Sequence, residues 1–474
     1  MNMQTTEAAV EPHLILNAMR SAHKAEPYPN YQTRKDRLQR LEKAMHDYAD
    51  RLVAAMQEDF SHRSAAECNS FDVTLPIGEI RFARRRLRKW MRGKFVMAPK
   101  HLLPARGRIA PQPLGVVGII APWNFPVLLA IAPAAAALAA GNRMMIKPSE
   151  ITPKTSAVMT EMLEGAFAPE EIAVVNGGPI ISAEFSKLPF DHLLFTGSTK
   201  VGREVAKAAA ENLTPVTLEL GGKSPAIVTP SADMNLAAKR IAFGKTTNAG
   251  QICMSPDYAF VPRAELESFT DKLIEAMKGY YPDFGGSDDY TAIVSEGHVA
   301  RLKAMVDEAE AAGAKVIRLE QGGDPAGARK LAPIVIVDPD PSLKVMQEEI
   351  FGPILPVLPY DDQKDALSFV AERDHPLSLY IFADKSADKD LWLKQSLAGG
   401  VAINETLFHF ACDTLPFGGV GASGMGSYHG DQGFETFSHM KSVFIQPKLN
   451  ASFLFNPPIS GFKETFGKIF RKII

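Results

Sequence analysis

From Ile109 to Asn142 the chain runs without one charged side chain. A stretch that long belongs either in a bilayer or inside a protein. Prolines at 111, 113, 122, 126 and 133, with Gly115, Gly118 and Gly141, would break a spanning helix repeatedly. A buried strand over 115–120, a loop, and a buried helix over about 127–140 use the same residues without conflict. A strand apolar at every position needs cover on both faces, which predicts a parallel sheet between helices.

The chain then repeats that arrangement. Apolar runs at 144–147, 173–175, 192–195 and 216–220 alternate with helical patterns such as 152–167 and 201–211, which predicts a doubly wound α/β sheet. A second series at 226–228, 258–261, 334–337, 379–382 and 401–404 is spaced by helical patterns near 233–244, 264–278, 296–312 and 362–373. It predicts a second α/β unit, in keeping with a length of 474 residues. Ahead of both, Leu38, Leu41, Met45, Tyr48, Leu52 and Met56 form one apolar stripe across a helix over 34–59. A further helix over 80–91 carries Arg81, Arg84, Arg85, Arg86, Arg88 and Lys89. Leu87 and Trp90 among them favour a solvated or subunit-facing side over a nucleic-acid surface.

A formal net charge of -2 excludes a global pull toward nucleic acid or anionic lipid. Three cysteines, Cys68, Cys253 and Cys412, lie far apart, so neither a disulfide framework nor a bound metal is expected. The N-terminal residues have no basic region followed by an apolar core, and a cytoplasmic location is the expectation.

Cys253 ends the run NAGQIC at 248–253. A cysteine in an apolar stretch usually fills a core, but glycine and two amides ahead of it suit a closely approached loop. A thiol nucleophile needs such room and a nearby base. Glu219 opens ELGGKSP (219–225) at the end of an apolar strand, where α/β sheets build sites; the alternative is an exposed strand-end carboxylate. Asn124, in PWNFP (122–126), is either a turn asparagine or a rigid donor to a developing oxyanion. Lys147 and Glu150, in KPSE (147–150), suit ribose hydroxyls or an exposed loop. FTGSTKVG (195–202) joins a strand to a helix and offers Gly197, Ser198 and Gly202 to a pyrophosphate. Thr199 stands where a GxGxxG fingerprint has glycine, so this motif is weak by itself.

Together with EEIFGP at 348–353, these motifs resemble the aldehyde dehydrogenase superfamily, in order and over nearly the whole chain. LPFGGVG (415–421), SGMG (423–426) and YHG (428–430) resemble its class 3 branch, and there the bacterial coniferyl aldehyde dehydrogenases. The resemblance implies NAD(P)-dependent oxidation of an aldehyde to the carboxylic acid. Cys253 would form a thiohemiacetal, Asn124 and the Cys253 N–H would hold the oxyanion, and Glu219 would activate water against the thioester. Lys147 and Glu150 would bind the adenine ribose, Glu349 the nicotinamide ribose with Phe351 close by, and Ser198 with its neighbours the pyrophosphate. A carboxylate at Glu150 favours NAD, with NADP the alternative through Lys147.

The resemblance also implies a Rossmann-like cofactor domain (1–92 and 115–217), a catalytic domain (218–421), a small β bridging and oligomerisation element (93–114 and 422–447), a tail (448–474), and a homodimer. Ile252 and Met254 flank Cys253 and bear on substrate size, leaving coniferaldehyde-like aromatic and medium-chain aliphatic aldehydes both open. A CoA-acylating enzyme is disfavoured by Glu219, and a non-catalytic binding protein by the retention of Cys253, Glu219 and Asn124. Cys68 and Cys412 are expected to be structural, and His409 either lines a substrate entrance or is a plain loop histidine. In the tail, Phe462, Phe466, Ile469, Phe470 and Ile473 recur at helical spacing with Lys463, Lys468, Arg471 and Lys472. That is the composition of a membrane-surface helix, although docking on the protein itself or a partner subunit is preferred.

Overall fold

The computed structural model describes residues 12–320 and 329–471; Lys472, Ile473 and residues 1–11 lie outside them. The stretch read as one helix over 34–59 forms two, Tyr31–Asp47 and Ala49–Asp59, because Tyr48 leaves the helical region at φ -104° and ψ 2°. Periodicity hides the break, since both helices keep Leu38, Leu41, Met45, Leu52 and Met56 buried. The helix Leu75–Arg92 turns some of its cationic face onto its own chain. Arg81 and Arg84 both pair with Glu42 at 2.6 Å, and Arg88 lies over the Tyr31 ring.

In chain order, β1 (Lys94–Met97) and β2 (Arg106–Pro113) form an antiparallel pair. Next come β3 (Val116–Ile120), β4 (Arg143–Lys147), β5 (Ile172–Val174), β6 (His192–Gly197) and β7 (Val216–Leu220). They are followed by β8 (Pro225–Val228), β9 (Tyr258–Pro262), β10 (Lys315–Arg318), β11 (Ile334–Val337), β12 (Ile354–Tyr360), β13 (Ser378–Phe382) and β14 (Gly400–Ile403). The last two are β15 (Gly424–Met425) and β16 (Ser438–Ile445). One sheet has the order β15-β7-β6-β3-β4-β5 and is parallel except for β15; another has β10-β11-β12-β9-β8-β13-β14 and is parallel except for β10. The third joins β1, β2 and β16. The α/β class with two parallel sheets and a small β element is as expected.

Three details differ from the sequence expectation. A boundary at 217/218 would cut β7, which lies wholly in the six-stranded sheet. Gly424 and Met425, expected in the bridging element, pair with Glu219 and Leu218 instead. Such long-range pairing leaves no local pattern. Finally, β12 is a central strand despite Pro356 and Pro359, residues that argue against one; its buried Ile354, Leu355, Val357 and Leu358 outweigh them.

The uncharged segment is interior, as its composition requires. All of β3 and nearly all of the helix Leu128–Ala140 are buried, and no described helix is long and apolar enough to cross a membrane. This buried helix is started by a charge. Asp72 Oδ1 accepts the N–H groups of Val127 and Leu128, both at 3.0 Å, while Oδ2 accepts from Arg63 at 3.0 Å in a fully buried pair. Asp72→Ala would strand the Arg63 cation and two N–H groups. The expected loss is about 3–5 kcal/mol, read from the urea midpoint at unchanged slope; an unmoved midpoint would show that the pair contributes nothing.

Candidate active site

In the six-stranded sheet the strand order reverses between β3 and β6, and α/β sheets bind ligands at such a crevice, beyond the carboxyl ends of their strands. The expected residues gather at those ends. Asn124 follows β3, Lys147 closes β4, Gly197 closes β6, and Glu219 is the penultimate residue of β7. The second sheet meets this edge with the starts of its strands. β8 begins at Pro225, directly after the glycines that leave β7; Cys253 precedes β9 and Glu349 precedes β12.

The loop carrying Cys253 is strained. Asn248, Ala249 and Gly250 have φ of 47°, 49° and 72°, and each left-handed non-glycine residue costs roughly 1–2 kcal/mol. At Gly250 a side chain would also collide with the Gly352 carbonyl. Buried hydrogen bonds from distant segments hold the loop. Asn248 Nδ2 donates to the carbonyls of Asn124 (3.2 Å) and Gln251 (3.1 Å), and Asn124 Nδ2 donates to Gln251 as well (3.1 Å). Gln251 Nε2 donates to the carbonyls of Asn248 (3.0 Å) and Ala292 (3.1 Å), and its Oε1 accepts the Val294 N–H (2.9 Å). On the far side of the thiol, the Tyr380 hydroxyl donates to the Met254 carbonyl. Asn124 is thus a rigid, buried amide at 3% exposure rather than a turn on the surface.

Glu219 is 3% exposed, and neither carboxylate oxygen has a hydrogen-bond partner among the described residues. Burial raises its pKa well above the ordinary carboxylate value. The Cys253 thiol is also pushed up, first by burial and then by the neighbouring Glu349 and Glu219, with two backbone N–H groups opposing. Glu349 rises to about 8 through burial and then Asp257, opposed by the Gly222 N–H. Gly221 leaves room for this carboxylate, since a β-carbon there would collide with it.

Ser198 caps the helix Thr199–Ala210, its hydroxyl accepting the Val201 N–H. A β-carbon on Gly202 would sit 2.5 Å from Leu220 Cδ2, so the bare glycine lets that helix ride close on β7. Lys147 is 1% exposed, donates to the Pro148 carbonyl at 2.6 Å, and lies 3.6 Å from Glu150. Burial lowers its pKa, with Glu150 opposing. Glu150 itself is open to solvent. Phe351 has φ 51° and sets its ring against Trp123 at 5.3 Å.

A cavity of about 590 Å³ opens beside the thiol, lined by Cys253, Ile252, Met254, Phe71, Phe125 and Phe408 among others. Both residues flanking Cys253 therefore do shape it. His409 is not among its lining residues; its Nε2 pairs with Ser378 Oγ at 3.0 Å, which makes it a loop-tethering histidine. Cys68 is buried in the core, and Cys412 lies near Thr414 Oγ1 at 3.4 Å. Glu67, Tyr380 and the 291–294 segment were missed from sequence. They carry no motif and meet the site only through long-range folding.

This is the architecture of an α/β oxidoreductase built around two parallel sheets. The model of the aldehyde dehydrogenase family matches residues 4–443. A probable coniferyl aldehyde dehydrogenase of Pseudomonas aeruginosa is 45% identical over 455 residues, covering 96% of this chain and 94% of that protein. The substrate-bound structure of Staphylococcus aureus AldH has a TM-score of 0.92 at 36% identity, covering 97% of this chain and 99% of that one. Betaine aldehyde dehydrogenase of Staphylococcus aureus, a point mutant in complex with NAD+, has 0.82 at 26%, covering 92% and 90%. The chain belongs to the aldehyde dehydrogenase family: it is an enzyme that oxidises aldehydes to carboxylic acids with a nicotinamide cofactor. The CoA-acylating and non-catalytic alternatives are not favoured.

The raised thiol sets a pH dependence. Below its pKa the thiolate fraction grows tenfold per pH unit, and only the thiolate reacts. Without cofactor, the rate of Cys253 alkylation by iodoacetamide should climb about tenfold per unit from pH 7 to 9. A plateau at neutral pH, followed by mass spectrometry, would show instead that the resting thiol is activated.

Proposed function

We propose that Cys253 attacks the aldehyde carbon, with Asn124 Nδ2 and the Cys253 backbone N–H receiving the oxyanion, and that Glu219 is the base that brings water to the resulting thioester. The observation that carries this reading is a thiol in the wall of an apolar cavity beside a buried carboxylate without a hydrogen-bond partner among the described residues. An unpartnered carboxyl group has lone pairs to offer a water, and burial, by raising its pKa, makes it the stronger base.

The residues of the crevice fit a nicotinamide dinucleotide. Glu349 Oε1 has no partner among the described residues, which suits a ribose hydroxyl. Ser198 at a helix start, with Gly197 and Gly202 beside β7, suits a pyrophosphate. Lys147 and Glu150 would take the adenine ribose, and Phe351 would flank the nicotinamide end. When bound, the nicotinamide supplies the hydride acceptor that turns a thiohemiacetal into a thioester. The open Glu150 carboxylate accepts a 2′-hydroxyl and repels a 2′-phosphate, so NAD is the preferred form.

Residues 12–92 and 115–220 would form the cofactor unit, with the described residues of 221–421 forming the unit that carries the thiol. Phe95, Val96, Met97, Phe444 and Ile445 are exposed on the three-stranded sheet, which supports a homodimer through this element. A reducing, cytoplasmic setting suits a reaction that needs Cys253 free.

The cavity's phenylalanines, which also include Phe243 and Phe410, favour a conjugated aromatic aldehyde of the coniferaldehyde type over a flexible chain. The test is initial NADH formation with matched coniferaldehyde, benzaldehyde, hexanal and decanal. Coniferaldehyde should lead by about tenfold or more in kcat/KM, and decanal in first place would overturn the aromatic assignment. Cys253→Ala should be inactive; residual turnover would refute the thiol mechanism. Glu219→Gln should keep a stoichiometric NADH burst while steady-state turnover falls roughly 10²–10⁴-fold. Loss of the burst as well would show that Glu219 acts before thioester hydrolysis.

A further inference from the structure

We infer that Glu67 is a positioning residue for the thiol, its carboxylate fixing the left-handed turn at Asn248 and so the place of Cys253 in the aldehyde cavity. This rests on the reading of Cys253 as nucleophile. The two Glu67 oxygens accept the Asn248 N–H at 3.0 and 3.1 Å, and Oε2 also accepts the Thr291 hydroxyl at 2.8 Å. Thr291 Oγ1 in turn accepts the Ser64 N–H at 3.2 Å, and Ser64 Oγ accepts the Glu67 N–H at 3.2 Å. A closed ring of hydrogen bonds therefore ties the segment 64–67 to Thr291 and to the turn. Glu67, Ser64 and Cys253 also line the same cavity.

The direction of the Asn248 N–H is what a left-handed φ of 47° decides. A carboxylate reaching that N–H with both oxygens accepts it over a narrow range of orientation. With the backbone so held, the Asn248 side chain meets the carbonyls of Asn124 and Gln251. Glu67 thereby orders the thiol loop and the Asn124 amide together, without touching the reacting atoms. Without it, the buried Asn248 N–H loses its acceptor, and the turn has a reason to relax.

The test compares Glu67→Ala and Glu67→Gln with the parent enzyme, using NAD and an aromatic aldehyde that the parent turns over. Cys253 alkylation by iodoacetamide without cofactor is followed in parallel. Glu67→Ala should lower kcat about 10- to 100-fold, the scale of a roughly 1 Å misplacement, with KM changed less than about threefold. The alkylation rate should change by a similar factor. Glu67→Gln, which keeps one acceptor oxygen, should recover most of the loss. If Glu67→Ala does not fold, Thr291→Val removes the hydroxyl that orients the carboxylate and should show a smaller loss of the same kind. The inference is overturned if kcat and alkylation stay within twofold of the parent in the folded variants, or if KM alone rises. Inactivity of Cys253→Ala beside a Glu67→Ala within twofold of the parent would sink this inference only; turnover by Cys253→Ala would sink the reading beneath it.

Discussion

The carboxyl group of Glu219 lies inside the protein with neither oxygen hydrogen-bonded among the described residues. An ionised carboxylate so placed costs several kcal/mol after relaxation, which is why burial drives its pKa upward. The same exclusion of water raises the Cys253 thiol, and the nearby acids add to the effect. Burial thus disfavours the charged form of both groups, and each anion would further disfavour the other. The reactivity of the site then depends on what enters it. On the proposed mechanism, a water reaching Glu219 would give the carboxyl group its missing partner, and an aldehyde in the cavity would give the thiol its electrophile.

Holding a thiol at a chosen point requires a rigid loop, and here the rigidity comes from outside the loop. Successive left-handed residues are unfavourable in isolation, so the turn at 248–250 persists because its surroundings over-determine it. Asn124 comes from the loop after β3, Glu67 from the short helix Ala65–Glu67, and Ala292 and Val294 from the segment before the helix Glu296–Ala311. The two parallel sheets are thus joined through the site itself. Asp72 has a comparable role in the layer behind β3, where a buried charge starts the apolar helix.

Much of this was legible along the chain, and the exceptions have specific causes. The strands β3, β4, β6 and β7 could be read from their apolar residues because nearly every position in them is buried. β12 was hidden by Pro356 and Pro359, and β10 by its shortness and by the exposed charges Lys315 and Arg318 at its ends. The break at Tyr48 was invisible because the apolar stripe continues in phase across it. Cys253, Glu219 and Asn124 stood out through the glycines, amides and prolines around them. Glu67 stood in an unremarkable stretch, and so did Tyr380 within a buried strand. The tail's helical spacing was correctly read for Phe462–Phe470, yet its hold on the rest of the chain is a small aromatic cluster of Phe455, Phe466, Phe470 and His101.

By itself the sequence determined the α/β class and the family and singled out the candidate site residues, because hydrophobic patterning, turn chemistry and motif order are local properties of a chain. Only the tertiary structure decided the protonation tendency of Glu219 and Cys253, the shape of the aromatic cavity, and the network that fixes the thiol loop. Each of those depends on how much water is excluded and which distant groups come within hydrogen-bonding range. Asn248 meets Glu67 and Asn124 across more than a hundred residues of chain, and no local pattern records such a meeting.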